Sequence, residues 1–254
     1  MTLTDAVTGE LAAYAIVFCR LGAAMMFLPG FGDSAVNNRS RLVMALAITF
    51  AMGGVFGDGS HLTGGFWPAI SVVVSEIIIG LFIGLAGRLT ITALQSAGSI
   101  IAAQISLSNA LSTDLVSAQQ GSLPANFLTI VGVMLIFATD LHHLLLAGVA
   151  RSYETFPVAS APQMDGFAEA VATIVSEGFS IALALSAPFI LVGITVSLGM
   201  GLLARLMPQV QVFFIIMPLQ ITVGLGLLAL TLSAGMQWYL HRFIELQSYA
   251  TGGG

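Results

Sequence analysis

Asp140-Leu141-His142-His143 sets one carboxylate and two imidazoles within four residues. Such a group can ligate a metal or relay a proton. The run lies at the end or turn of an apolar segment, and a zinc site there needs ligands converging from elsewhere. His61 and His241 are isolated, and His-Glu-x-x-His is absent. Adjacent histidines on a helix also point in different directions. Interfacial hydrogen bonding is therefore the expected role, with no metal and no cofactor. Glu76 and Glu177 form a second candidate set, a carboxylate pair along an ion pathway. Pairing with Arg20 or Arg88 between packed helices is the stronger expectation.

Other reactive patterns are missing or formal. There is no Gly-x-Ser-x-Gly elbow and no phosphate-binding loop, so no catalytic residues are assigned and no enzyme is expected. Gly199-Met200-Gly201 and Gly224-Leu225-Gly226 fit the dinucleotide fingerprint only in letters, since neither follows a strand. Close helix packing explains them better, as it does Gly80, Gly84, Gly193, Ser197 and Gly201. Cys19 is alone and reads as a small buried apolar residue.

The elements that must position these residues are helices in an apolar medium. The chain is 57% hydrophobic and 7% charged, with a mean hydropathy of +0.99, whereas a soluble domain carries roughly a quarter charged residues. It has seven arginines and lysines together, all of them Arg and all dispersed, which excludes a phosphate-tracking surface and hence nucleic acid. Met1 to Glu10 lacks the basic start of a cleaved leader. Apolar runs fall at Leu11 to Pro29, Leu42 to Phe56, Ala69 to Ala103, Phe127 to Ala150, Ile174 to Leu203 and Val212 to Ala234.

An all-α membrane protein of about six helical elements in one domain, residues 1–254, follows. The third and fifth runs would rise roughly 50 and 45 Å, longer than a hydrocarbon core of about 30 Å. Pro188 and Pro218 favour a kink or break. Arg20, Glu76, Arg88, Asp140 and Glu177 should face other helices or a cavity. The arginine distribution, with Arg39, Arg41 and Arg205 on one side, favours both termini outside. From Ser106 to Pro124 the connection is rich in small polar residues yet keeps Leu107, Leu111, Leu115 and Val116; loops this long are functional or disordered.

Arg205-Leu206-Met207-Pro208-Gln209, then Phe213, Phe214, Pro218 and Thr222-Val223-Gly224, resembles the C-terminal signature of the FliR family of flagellar export proteins. Arg20 with Pro29, and Arg39-Ser40-Arg41 ahead of Ala45 to Phe50, resembles the family's first hairpin. Ala97 to Ile101, Gln104, Pro124, Asp140, His142 and Phe156-Pro157 extend the likeness over nearly the whole chain. Leu141 stands where the family has Gly, and Asp114-Leu115 where it has Asp-Pro.

The resemblance implies bent helical hairpins wound into a helical assembly. It implies a gate subunit of the type III export apparatus, joined to P and Q components, with A-type and B-type export proteins and the transported flagellar proteins as further partners. The place implied is the bacterial inner membrane, in contact with lipid, within the flagellar basal body. By position, Ser106, Leu107, Ser108, Asn109, Leu111, Asp114, Leu115 and Pro124 belong to a pore-plugging loop. Arg20, Pro29, Arg39, Arg41, Gln104, Asp140, His142, Arg205, Pro208, Gln209 and Pro218 belong to assembly and structure. Arg205 and Gln209 bracket Pro208, where a helix-breaking turn gains donors for freed carbonyls or a partner. The competing readings are a virulence-injectisome counterpart, a secondary transporter using Glu76, Arg88 and Glu177, and an intramembrane hydrolase or metalloenzyme, which lacks a motif.

Overall fold

The computed structural model describes residues 3–33, 36–56, 66–107, 122–158, 164–206 and 212–250. Among them are seven helices and no strand: α1 (Leu3–Phe27), α2 (Asn38–Phe56), α3 (Phe66–Gln104), α4 (Leu123–Ala138), α5 (Leu141–Thr155), α6 (Met164–Leu206) and α7 (Val212–Ala250). Five are long and apolar enough to cross a membrane, and the bent pair α4 and α5 makes a sixth if counted as one span. The expected all-α membrane architecture is the one observed.

Two compact units emerge, each drawn from separated stretches. The first takes residues 1–90, 136–175 and 244–254, and the second 91–135 and 176–243. In the first, α1 buries Ala13, Ile16, Val17, Arg20, Leu21 and Ala24 at the three-and-four spacing of one helix face, with Ala23 and Met25 buried beside them. Val72, Glu76, Ile79, Ile83 and Ala86 make the matching face of α3. On α5, Leu145, Gly148, Val149, Ser152 and Tyr153 are buried at the same spacing. The charged residues Arg20 and Glu76 thus occupy core positions of otherwise apolar stripes. The second unit buries Leu94, Ala97, Ile101, Leu128, Ile181 and Phe189 among others.

Backbones approach closely where the sequence has glycine. A Cβ on Gly80 would strike the Arg20 carbonyl, and one on Gly84 the Ala24 carbonyl, so these two residues set the α1 to α3 spacing. Gly193 lies against the Gln104 side chain and Gly224 against the Ile105 side chain, neighbours that are side chain rather than backbone, whereas Gly199, Gly201 and Gly226 have no neighbour within 4 Å. Ser197 is exposed. The packing role expected of glycine therefore holds for four of these seven positions, and within this chain Gly199, Gly201 and Gly226 do not serve it.

Two other expectations are corrected, and the kink or break expected at the prolines is narrowed to exclude a break. α6 runs unbroken through Pro188 and α7 through Pro218. Each proline removes one helical hydrogen bond, but a full break would free several backbone groups in surroundings with few other partners. Asp140 faces neither a helix nor a cavity: its side chain is 80% exposed, because it lies in the two-residue break between α4 and α5. Cys19 is half-buried rather than buried.

Much apolar surface stays uncovered. Only 17% of the most apolar stretch of α2, and the same share of α7, is buried within the chain, and Phe50, Trp67, Leu206 and Leu230 are all more than 70% exposed. A water-facing surface of this kind is excluded by its hydration cost. Lipid or other subunits must cover it.

The glycine argument has a direct test. Gly80→Ala should destabilise the full chain in detergent by about 1–3 kcal/mol through overpacking. Gly226→Ala should be neutral or gain up to ~1 kcal/mol of helix propensity. Equal shifts in thermal midpoint for the two variants would contradict the close-approach role.

Candidate functional site

Because the α1 and α3 stripes face each other at Gly80, Arg20 meets Glu76 inside the first unit. Arg20 Nε donates to Glu76 Oε2 at 2.6 Å and Nη2 to Glu76 Oε1 at 3.0 Å, a two-pronged pair with both side chains fully buried. Nη1 donates to Ser152 Oγ at 3.1 Å and Nη2 to the Phe156 carbonyl at 2.9 Å. The guanidinium lies 3.9 Å from the Tyr153 ring centroid, and Phe56 stacks on that ring at 5.0 Å.

The α5 end is built to receive this cation. Ser152 Oγ donates to the Val149 carbonyl at 2.6 Å, which leaves its lone pairs for Arg20. Phe156 N–H donates to the Ser152 carbonyl at 2.8 Å as the helix closes. The Phe156 carbonyl is then one of the acceptors left over at a helix C-terminus, where positive charge is favoured. Phe167 packs against both Phe156 and Phe82, at 5.3 and 4.3 Å between ring centroids.

A second cluster holds the turn after α1. Gly30 has φ 80 and no room for a Cβ beside Phe137. Asp33 Oδ2 accepts from Gly30 N–H at 3.1 Å, and Arg88 pairs with Asp33 Oδ1 at 2.5 Å. Arg41 donates to the Phe31 and Asp33 carbonyls at 2.8 and 3.0 Å. Pro29 is buried, whereas Arg39 is exposed.

In the second unit the structure describes the root of the long loop. Ser106 adopts φ 58, a left-handed conformation that costs a non-glycine residue energy. Its hydroxyl donates to Gln220 Oε1 at 2.9 Å, and Gln220 Nε2 donates to the Gln104 carbonyl. Gln220 is buried on α7. Leu107 is partly buried and Pro124 is buried at the start of α4. Ser108, Asn109, Leu111, Asp114 and Leu115 lie outside the described residues.

Of the remaining expected residues, Asp140 and His142 lie together at the turn before α5, and the others are dispersed. Asp140, with φ 58, precedes α5, and His142 stacks on Phe137 at 5.0 Å. Adjacent helical histidines should diverge, yet the His142 and His143 rings are 4.1 Å apart, because they fall in the first turn after a left-handed residue. Arg205 is exposed in the last turn of α6, and Pro218 is exposed on α7. Pro208 and Gln209 lie outside the described residues. Glu76 is committed to Arg20, and Glu177 is partly exposed on α6. Ser152, Tyr153, Asp33 and Gln220 were not readable as partners in advance. Gln220 alone carried a signal, an amide inside a long apolar helix.

Helices with exposed apolar faces around a buried ion pair define a polytopic-type helical membrane protein with no assembled catalytic group among the described residues. The model of the bacterial export proteins, family 1, matches residues 11–246, so the chain belongs to that family. It is 40% identical to the flagellar biosynthetic protein FliR of Caulobacter vibrioides over 237 residues, covering 91% of this chain and 93% of that relative. Bacillus subtilis FliR is 29% identical, with 81% and 80% covered. The Yop proteins translocation protein T of Yersinia pestis is 25% identical, with 85% and 84% covered.

Removing one partner of a buried ion pair costs about 3–5 kcal/mol, whereas apolar replacement of both can be neutral. Glu76→Leu alone should therefore sharply lower the yield of folded chain, and Arg20→Met with Glu76→Leu should restore most of it. Size-exclusion profiles in detergent measure this. A double variant as poor as the single one would show that the pair has a role beyond mutual neutralisation.

Proposed function

We infer that the chain is a non-enzymatic component of the flagellar type III export apparatus. In this reading it assembles in the inner membrane with P and Q components, in contact with the A-type and B-type proteins, to form the conduit for exported flagellar proteins. The observation that carries the reading is the 40% identity to a flagellar FliR over nine-tenths of both chains. The likeness to an injectisome component is lower, at 25%, which favours the flagellar version. Uncovered apolar faces on α2, α6 and α7 suit a subunit completed by neighbours. The transporter reading loses Glu76, whose two oxygens are taken by Arg20.

The loop that follows Ser106 is assigned the plug. A polar loop with spaced Leu residues can fill a wet constriction and withdraw without exposing a large apolar core. Its root, where Gln220 ties Ser106 to the Gln104 carbonyl, gives it a fixed point of departure. Arg205, exposed at the end of α6, is assigned to subunit contact.

Deleting residues 108–117 should raise ion leakage through the assembled complex, read as conductance or as loss of membrane potential in cells. An assembled deletion variant as tight as the parent refutes the plug. Arg205→Ala should reduce co-purification with the P component and impair swimming; undiminished values of both refute its assembly role.

A further inference from the structure

We propose that Asp140, His142 and His143 form a binding site for a divalent first-row metal of the zinc class. One ligand atom from each side chain lies within 4.8 Å of the other two. In a tetrahedral site, donors about 2.0–2.1 Å from the ion sit roughly 3.3 Å apart, so the widest separation must close by up to about 1.5 Å. The Asp140 and His143 side chains, 80% and 71% exposed, are free to make that movement.

Two of the three members lack an ordinary local partner. Asp140 is the residue before α5, where an aspartate commonly accepts a backbone N–H, yet its side chain makes no cap. Its carboxylate is instead 3.9 Å from His143 Nδ1. His142 Nδ1 is screened from solvent and has no hydrogen-bond partner, a costly state that a bound cation would relieve. The His142 ring is held by its stack on Phe137, as supporting residues orient metal-bound imidazoles.

The backbone explains why neighbours in sequence converge. Asp140 N–H donates to the Phe137 carbonyl at 3.3 Å, and His143 N–H to the Asp140 carbonyl at 3.0 Å, so the left-handed residue folds the carboxylate back over the first helical turn. Two imidazoles and one carboxylate suit zinc or its neighbours rather than calcium or magnesium. Three protein ligands leave a fourth position for water or for a donor from another subunit.

The test uses Co2+ as probe on the full chain in detergent, purified through a histidine-free tag. Expected is saturable binding of one ion with visible d–d absorption of a tetrahedral site. His142→Ala and His143→Ala should each weaken it by at least the roughly 10-fold that an outer-shell partner is worth, with helical circular dichroism unchanged. Absence of saturable Co2+ binding by the parent chain overturns the proposal, and so does equal binding by the His142→Ala, His143→Ala double variant.

Discussion

An arginine and a glutamate buried together in an apolar interior dictate most of the first unit. Each ion alone would cost several kcal/mol to remove from water, so neither can be there without the other and without hydrogen bonds for what remains. Two oxygens of Glu76 meet two nitrogens of Arg20, a serine and a terminal carbonyl of α5 take further protons, and an aromatic face covers the cation. That demand fixes the rotation of α1, α3 and α5 about their axes. It also explains a glycine one turn beyond Glu76, since a side chain at Gly80 would hold the two helices apart.

Helix type and most boundaries were legible because hydropathy changes sharply at the ends, although the run from Phe127 to Ala150 divides into α4 and α5. The run beginning at Leu42 and the one beginning at Ala69 lie within three or four residues of the observed starts at Asn38 and Phe66. The fifth run misses the first ten residues of α6, which include Asp165 and Glu169, and the sixth stops before the polar stretch of α7 holding His241, Arg242 and Glu245. Those are helical residues with polar side chains, to which an apolar window is blind. At the prolines the helices do not break, because a membrane offers a freed backbone few other partners.

The ion pair was half legible. Unlike charges inside apolar runs must find each other, but whether Glu76 takes Arg20 or Arg88 depends on the helix approach that Gly80 permits. Arg88 instead serves Asp33. Ser152 and Tyr153 look like ordinary members of a short helix until the α5 stripe is placed against α1. Likewise, the convergence of His142 and His143 rests on the left-handed backbone at Asp140, which Asp-Leu does not announce as Asn-Gly would.

The partners of Arg20 are separated from it by 56, 132 and 136 positions. A chain made from its N-terminus therefore carries an incompletely satisfied guanidinium through more than half of its synthesis. Glu76 arrives first and neutralises the charge, but the remaining protons wait for α5. The Arg20 network is thus completed only once α5 has been made.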